Sequence, residues 1–323
     1  MGLIEKLKQD PPPYSDNASY ITVDKIYTRL SYMVKENKLS GFYVNDALHL
    51  LAQQISRIDF EELALNLKFP RLDLALDLVS LALYDIIILG DDSGSMSFSS
   101  EGRIDDLTFV VNEIAKIATL FDDDGISVRW FNSYTHMDNI KSADQVTDAI
   151  QKIQFQGKTP MGSSLKEKVL QQMVYPGIRN KSLKKPVLIF IITDGQPDSR
   201  LDVVNAITEA KKIASNSMYG PKAIAFQFGQ VGKDREAQNW LEEIDTDPLI
   251  GDSIDCTSNF DLEKEEFNRK GLELTPFLWL LKLTQGAIDP EYDAQDEMYK
   301  EKNKPSIQDI PRQQQDTNCC VIL

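Results

Sequence analysis

Histidine and cysteine are scarce: in 323 residues there are two His and three Cys. His49 and His136 lie far apart in sequence, so the grouped nitrogen and sulfur ligands of a structural zinc site are missing. Two of the cysteines, Cys319 and Cys320, are adjacent near the end of the chain, which implies no disulfide framework. No apolar run approaches the roughly 18 residues of a membrane-spanning helix. The opening residues Met1 to Lys6 give way to Asp10 and a proline run without the apolar centre of a signal peptide, so a cytoplasmic chain is expected. Basic residues are outnumbered, 35 against 50, for a net charge of −15, and nucleic acid is not the expected main partner. A phosphate-cradling glycine loop and a nucleophile elbow are also lacking.

What the chain does have is an alternation of apolar runs and helical stripes. Tyr84 to Leu89, Val187 to Thr193 and Ala223 to Phe228 are too continuously apolar for half-exposed strands and read as buried parallel ones. Ile126 to Phe131 and Ile254 to Thr257 read as further strands. Between them Leu107, Val110, Val111, Ile114, Ile117, Ala118 and Phe121 recur at helical spacing. Helices are also expected around 144–153, 165–174, 203–213 and 240–241. The pattern predicts an α/β fold, a mostly parallel sheet flanked by helices on both faces. The acidic Asp122 to Asp124 run lacks EF-hand spacing and reads as a solvated turn.

Three pieces carry candidate chemistry. Asp91-Asp92-Ser93-Gly94-Ser95 follows the first strand, Thr159 sits in the turn-rich Gly157 to Gly162 loop, and Asp194 ends the Val187 strand. Open α/β sheets place ligands outside the carboxyl ends of their strands, and all three pieces are expected at such ends. Asp91, Ser93, Ser95, Thr159 and Asp194 supply only oxygen, which suits a hard cation such as Mg²⁺ or Mn²⁺. Asp92 is a further carboxylate, open to pairing with Arg103 or Lys158 or to weakening the binding of an anionic ligand.

This constellation resembles the metal-ion-dependent adhesion site of von Willebrand factor A (vWA) domains, with its D-x-S-x-S, Thr and Asp elements in order. The resemblance covers about residues 83 to 260 and implies a Rossmann-like vWA fold. It implies that Ser93 and Ser95 bind the metal directly, while Thr159, Asp91 and Asp194 exchange between direct and water-mediated contact. One coordination position is left for a partner's Asp or Glu. Asp92 departs from the family, which often has Gly there. A wider likeness, through Leu81 to Asp85, Phe226 to Val231, Leu274 to Pro276 and Ala287 to Pro290, is to intracellular vWA proteins common in fungi.

The two ends carry motifs of their own. Cys320-Val321-Ile322-Leu323 fits a C-a-a-X box whose final Leu favours geranylgeranyl, and Cys319 could take a palmitoyl chain. Two lipids make stable what one leaves reversible, so a peripheral membrane location is expected. Pro11-Pro12-Pro13-Tyr14 matches the P-P-x-Y ligand of WW domains, with Pro11, Pro12 and Tyr14 as its recognised residues. Gly2 is not an expected myristoylation site, because Lys6 stands where Ser or Thr is needed.

The expected layout is a flexible leader over 1–21, a helical extension over 22–82, the vWA domain over 83–288 and a flexible tail over 289–323. In the extension, Ile26, Leu30 and Met33, then Leu48, Leu51, Ala52 and Ile55, then Leu74, Ala75, Leu78 and Val79 form apolar stripes. His49 is expected to be partly buried, Cys256 to be a small buried residue, and Trp130, Trp240 and Trp279 to be core. The leading function is a metal-dependent protein-binding module. Alternatives are a metal-dependent hydrolase, for which Asp92 is the only supernumerary base, or a metal that merely staples the fold.

Overall fold

Among the described residues six strands are laid down in sequence: β1 (Asp85–Gly90), β2 (Ile126–Trp130), β3 (Met137–Ile140), β4 (Val187–Thr193), β5 (Ile224–Gln230) and β6 (Ile254–Thr257). The computed structural model describes residues 3–9, 20–44, 46–97, 102–121 and 124–292. Pro11, Pro12, Tyr14, Cys319 and Cys320 lie outside the described residues, as do Gly2, Asp122 and Asp123. The strands form one sheet in the order β3-β2-β1-β4-β5-β6, parallel throughout except for the antiparallel β2/β3 pair. Strand β3 is the one the apolar pattern does not announce, since Met-Asp-Asn-Ile has a largely exposed centre and sits at the sheet edge.

The apolar runs of β1 and β4 are continuous because both sheet faces are covered. Ile86 and Ile88 enter one core with Leu188, Phe190 and Ile192, while Ile87 and Leu89 enter the other with Ile189 and Ile191. The first core receives α6 (Arg103–Phe121), whose predicted stripe from Leu107 to Phe121 is wholly buried. The second receives the helical run that starts at α8 (Met161–Ser164), continues as a π-helical stretch over Leu165–Val174 and ends as α9 (Tyr175–Arg179). It also receives α10 (Arg200–Ser215) and α11 (Arg235–Asp245). Helix α7 (Ala143–Ile150) packs on α6. All three Trp residues are buried, as expected. His49 is exposed and only meets the Tyr27 ring edge-on at 5.0 Å, and Cys256 is half-buried on the edge strand rather than enclosed.

The extension supplies α2 (Val23–Glu36), α3 (Ala47–Ile55), α4 (Phe60–Asn66) and α5 (Leu72–Asp77), followed by a 3₁₀ segment over Leu78–Leu83 that leads into β1. Its stripes share the first core with α6 and α13 (Pro276–Gln285), which follows α12 (Phe260–Arg269). Both ends of the described fold join this layer. Residues expected to be leader form α1 (Leu3–Lys8), where Leu3 is 2% exposed. Residues expected to begin the tail are enclosed, with Asp289 and Tyr292 buried.

A buried ionic cluster explains why these ends stay. Lys6 Nζ lies 2.6 Å from Asp77 Oδ2, and Arg29 reaches both Asp77, at 3.1 Å, and Asp289. The Tyr292 hydroxyl donates to Asp77 Oδ2 at 2.7 Å. Nearby, Asn37 Nδ2 donates to the Ile288 carbonyl at 2.6 Å, and Ser80 Oγ donates to Gln285 Oε1. Burial pushes the Asp289 carboxyl above its ordinary range, and the Arg29 charge opposes that rise. Since Ser80 and Asp77 precede β1, this clasp lies toward the amino ends of the strands. The candidate site lies at their carboxyl ends.

Candidate metal centre

Strand order decides where the loops meet. The chain leaves β1 for β2 and β3 on one side, then crosses to β4, β5 and β6 on the other, so the connections diverge between β1 and β4. That divergence opens the crevice in which such sheets bind ligands. Ladder-like hydrogen bonds run beyond the strands and fix the loops. Asp91 N donates to Ile192 O at 2.9 Å, Phe131 N to Gly90 O at 3.1 Å, and Val231 N to Thr193 O at 2.9 Å. Asp91 and Asp194 therefore emerge side by side, both fully buried.

Four of the five predicted ligands form one chain of contacts. Asp91 Oδ1 accepts from Ser93 N at 2.8 Å, and Asp91 Oδ2 accepts from the Thr193 hydroxyl at 2.7 Å. Ser93 Oγ lies 3.0 Å from Ser95 Oγ, which donates to Asp194 Oδ1 at 2.9 Å. The other Asp194 oxygen is paired with Arg103. Burial, and then the neighbouring Asp194 charge, push the Asp91 carboxyl up to about 7. Two carboxylates brought this close out of water ask for more positive charge than one guanidinium.

Thr159 is placed differently from expectation. It lies between α7 and α8, in a loop joining two helices, and not at a strand end. Gly94 N donates to Gly157 O at 3.1 Å, which holds that loop against the serine loop. Thr159 itself is tied by its backbone to Asp198, its N–H donating to Oδ1 at 3.2 Å and its carbonyl accepting from Asp198 N at 2.9 Å. Among the described residues its hydroxyl makes no hydrogen bond to the other four. Gly157 adopts φ +97, and a Cβ there would stand 2.8 Å from Asn132 Oδ1, so the close approach requires glycine.

Asp92 takes neither of the partners expected for it. Its Oδ1 accepts from Asn132 N at 2.7 Å and Asn132 Nδ2 at 3.1 Å, and its Oδ2 accepts from Ser133 N at 2.7 Å. Lys158 enters only through its carbonyl, which accepts from Asn132 Nδ2 at 2.9 Å. Arg103 goes to Asp194 instead. Asp92 is thus a brace between the ends of β1 and β2, holding the Lys158 loop through Asn132. Lys168 donates to the carbonyls of Trp130, Phe131 and Ser133, and burial lowers its ammonium from its ordinary range while the Asp92 charge opposes that fall. Asn132, Ser133, Thr193, Asp198 and Arg103 are site residues the motif did not name. For Asn132 and Ser133 a signal was available, since both directly follow a predicted strand.

Among the described residues no group of three or more His, Cys, Asp or Glu is placed to hold a metal ion. The oxygen set is nonetheless suited to one of small radius. In an octahedron with ligands at 2.0–2.1 Å, adjacent oxygens stand about 3 Å apart. The Ser93–Ser95 and Ser95–Asp194 hydrogen bonds, 3.0 and 2.9 Å, are compatible with that spacing. The donor set fits Mg²⁺ or Mn²⁺ chemically.

A doubly covered, mostly parallel sheet with a hydroxyl and carboxylate loop at its divergence point defines the class as a vWA-like α/β domain. The profile of the family vWA-TerF-like, described as the vWA found in the TerF C terminus, matches residues 84–270, and the chain belongs to that family. Among solved structures, the fold is similar to that of the manganese-loaded Plasmodium vivax TRAP protein, at 15% identity and a TM-score of 0.38, over 61% of this chain and 74% of that one. It is also similar to proximal thread matrix protein 1 from the mussel byssus, at 18% identity and a TM-score of 0.40. That match covers 64% of this chain and 47% of the mussel chain. No curated protein sequence matches the chain.

Proposed function

We propose that the carboxyl end of the sheet is a Mg²⁺ or Mn²⁺ centre and that the protein is a metal-dependent protein-binding module. Asp91, Ser93, Ser95 and Asp194 would hold the ion, with Thr159 completing the set from its adjacent loop. The supporting observation is the convergence of Asp91, Ser93, Ser95 and Asp194 in one chain of contacts, an all-oxygen donor set of the kind a small hard cation takes. Bound there, the ion supplies a Lewis-acidic position for a partner's carboxylate. The chain's own part is to fix the hydroxyls, exclude water from Asp91 and Asp194, and leave the local charge positive enough to attract an acid. Asp92, the base a hydrolase would need, is occupied by three N–H donors, which favours binding over catalysis.

The test is to capture proteins from cell extract on the full chain in Mg²⁺, in chelator, and with Asp194→Ala. A partner lost in both perturbed samples, from variants that remain folded, supports metal-dependent recognition. A partner list that ignores both treatments rejects it and leaves the ion a structural or catalytic role. A WW-domain partner at Pro11, Pro12 and Tyr14 would persist in chelator and disappear with Tyr14→Ala.

Membrane attachment through lipid on Cys320, reinforced at Cys319, belongs to the same proposal and rests on the C-a-a-X motif. It would place a cytoplasmic binding module at a membrane surface. Cys320→Ser is expected to shift the protein from membrane pellet to supernatant on fractionation, and retention in the pellet would reject the anchor.

A further inference from the structure

Arg103 is the cation already present at the candidate centre, and nothing in the metal motif calls for it. It is the first residue of α6, and its side chain is 10% exposed while that of Asp194 is fully buried. One guanidinium nitrogen pairs with Asp194 Oδ2 and lies 3.3 Å from the Ser95 carbonyl, so it touches two of the predicted ligand residues at once. Its position is fixed from behind. Gly232 adopts φ +71 after β5, and a Cβ there would come within 2.9 Å of Arg103 Nε, so the backbone itself backs the guanidinium. Arginine cannot shed its charge at any ordinary pH.

We infer that Arg103 is an internal counter-cation that neutralises Asp194 in the metal-free protein and lowers the affinity of the centre for a dication. The inference rests on the metal reading above. Its physical basis is a charge count. With both carboxylates ionised, as they are when they hold a dication, Asp91 and Asp194 against Arg103 sum to one negative charge, and the dication turns that into one excess positive charge. Arg103 occupies Oδ2 and leaves Oδ1 on the ring with Ser95, so cation and dication share a carboxylate and repel each other across it. The same repulsion sharpens selection, because a partner's carboxylate brings the local sum to zero. Weak metal binding and strong preference for an acidic ligand then come from one side chain.

The test measures Mn²⁺ binding by calorimetric titration, and thermal unfolding with and without Mn²⁺, on the full chain and on Arg103→Met, Arg103→Gln and Arg103→Lys. Removing a like charge from beside a dication is expected to tighten Mn²⁺ binding about tenfold or more in the Met and Gln variants. Their metal-free melting temperature should fall, because Asp194 loses its partner, and Mn²⁺ should restore it. Gln keeps a donor for Asp194 and carries the test if the Met variant does not fold. Lys keeps the charge and should stay near wild type in affinity. Equal affinity in wild type and the neutral variants overturns the inference while leaving the metal centre standing. If wild type and all variants bind no Mn²⁺, the metal reading itself fails.

Discussion

Two clusters of buried carboxylates stand at opposite ends of the sheet, and they are balanced differently. At the amino ends, Asp77 and Asp289 are in direct contact with Lys6 or Arg29, Glu291 stands 3.8 and 4.0 Å from the same two cations, and the Tyr292 hydroxyl adds a donor. At the carboxyl ends, Arg103 pairs with Asp194, while Asp91 is held by the Ser93 N–H and the Thr193 hydroxyl. Burial of charge is costly wherever it occurs, and it is tolerated when partners come with the fold. The first cluster is closed in this sense and reads as architecture. In the second only Asp194 touches a cation, and Asp91 is met by a hydroxyl and a backbone N–H, which is the difference the metal proposal builds on.

The comparison can be broken most forcefully at the closed end. Asp77→Ala removes the carboxylate nearest Lys6 and one of those on Arg29, leaving Lys6 only the more distant Glu291, and urea unfolding should show a loss of about 3 kcal/mol. That loss should be the same with or without Mn²⁺; a loss that Mn²⁺ recovers would mean the two ends are not independent. A smaller effect sharpens the distinction within the open end. Asp92→Asn weakens three charge-assisted hydrogen bonds to Asn132 and Ser133, for an expected loss of about 1–3 kcal/mol. Its Mn²⁺ affinity by calorimetry should be unchanged, and a large fall in affinity would make Asp92 a ligand instead of a brace.

Much of the sheet was legible because its central strands are long, apolar and buried on both faces, a pattern that Val187 to Thr193 shows without interruption. Strand β3 was not, because an exposed edge strand of four residues needs little apolar content. The serine loop and Asp194 could be read as neighbours, since position after a buried strand already implies convergence. The partners of Asp92 and Asp194 could not, because pairing among carboxylates, Asn132 and Arg103 depends on loop paths that no periodicity encodes. Asp289 and Tyr292 read as tail for a related reason: their surroundings in sequence are polar, and their burial depends on distant partners such as Arg29 and Asp77.

The clasp also has a consequence in time. Arg29 and Asp289 are 260 positions apart, and Tyr292 and Asp77 are 215 apart, so the contacts close loops that enclose the whole sheet. Ordering so long a loop is entropically unfavourable until the intervening strands have paired. During synthesis Lys6 and Arg29 emerge long before Asp289 exists, and the helices that carry them cannot bury their charges on their own. Closure of the clasp is therefore a late event in folding, so weakening it should speed unfolding and leave the folding rate nearly untouched.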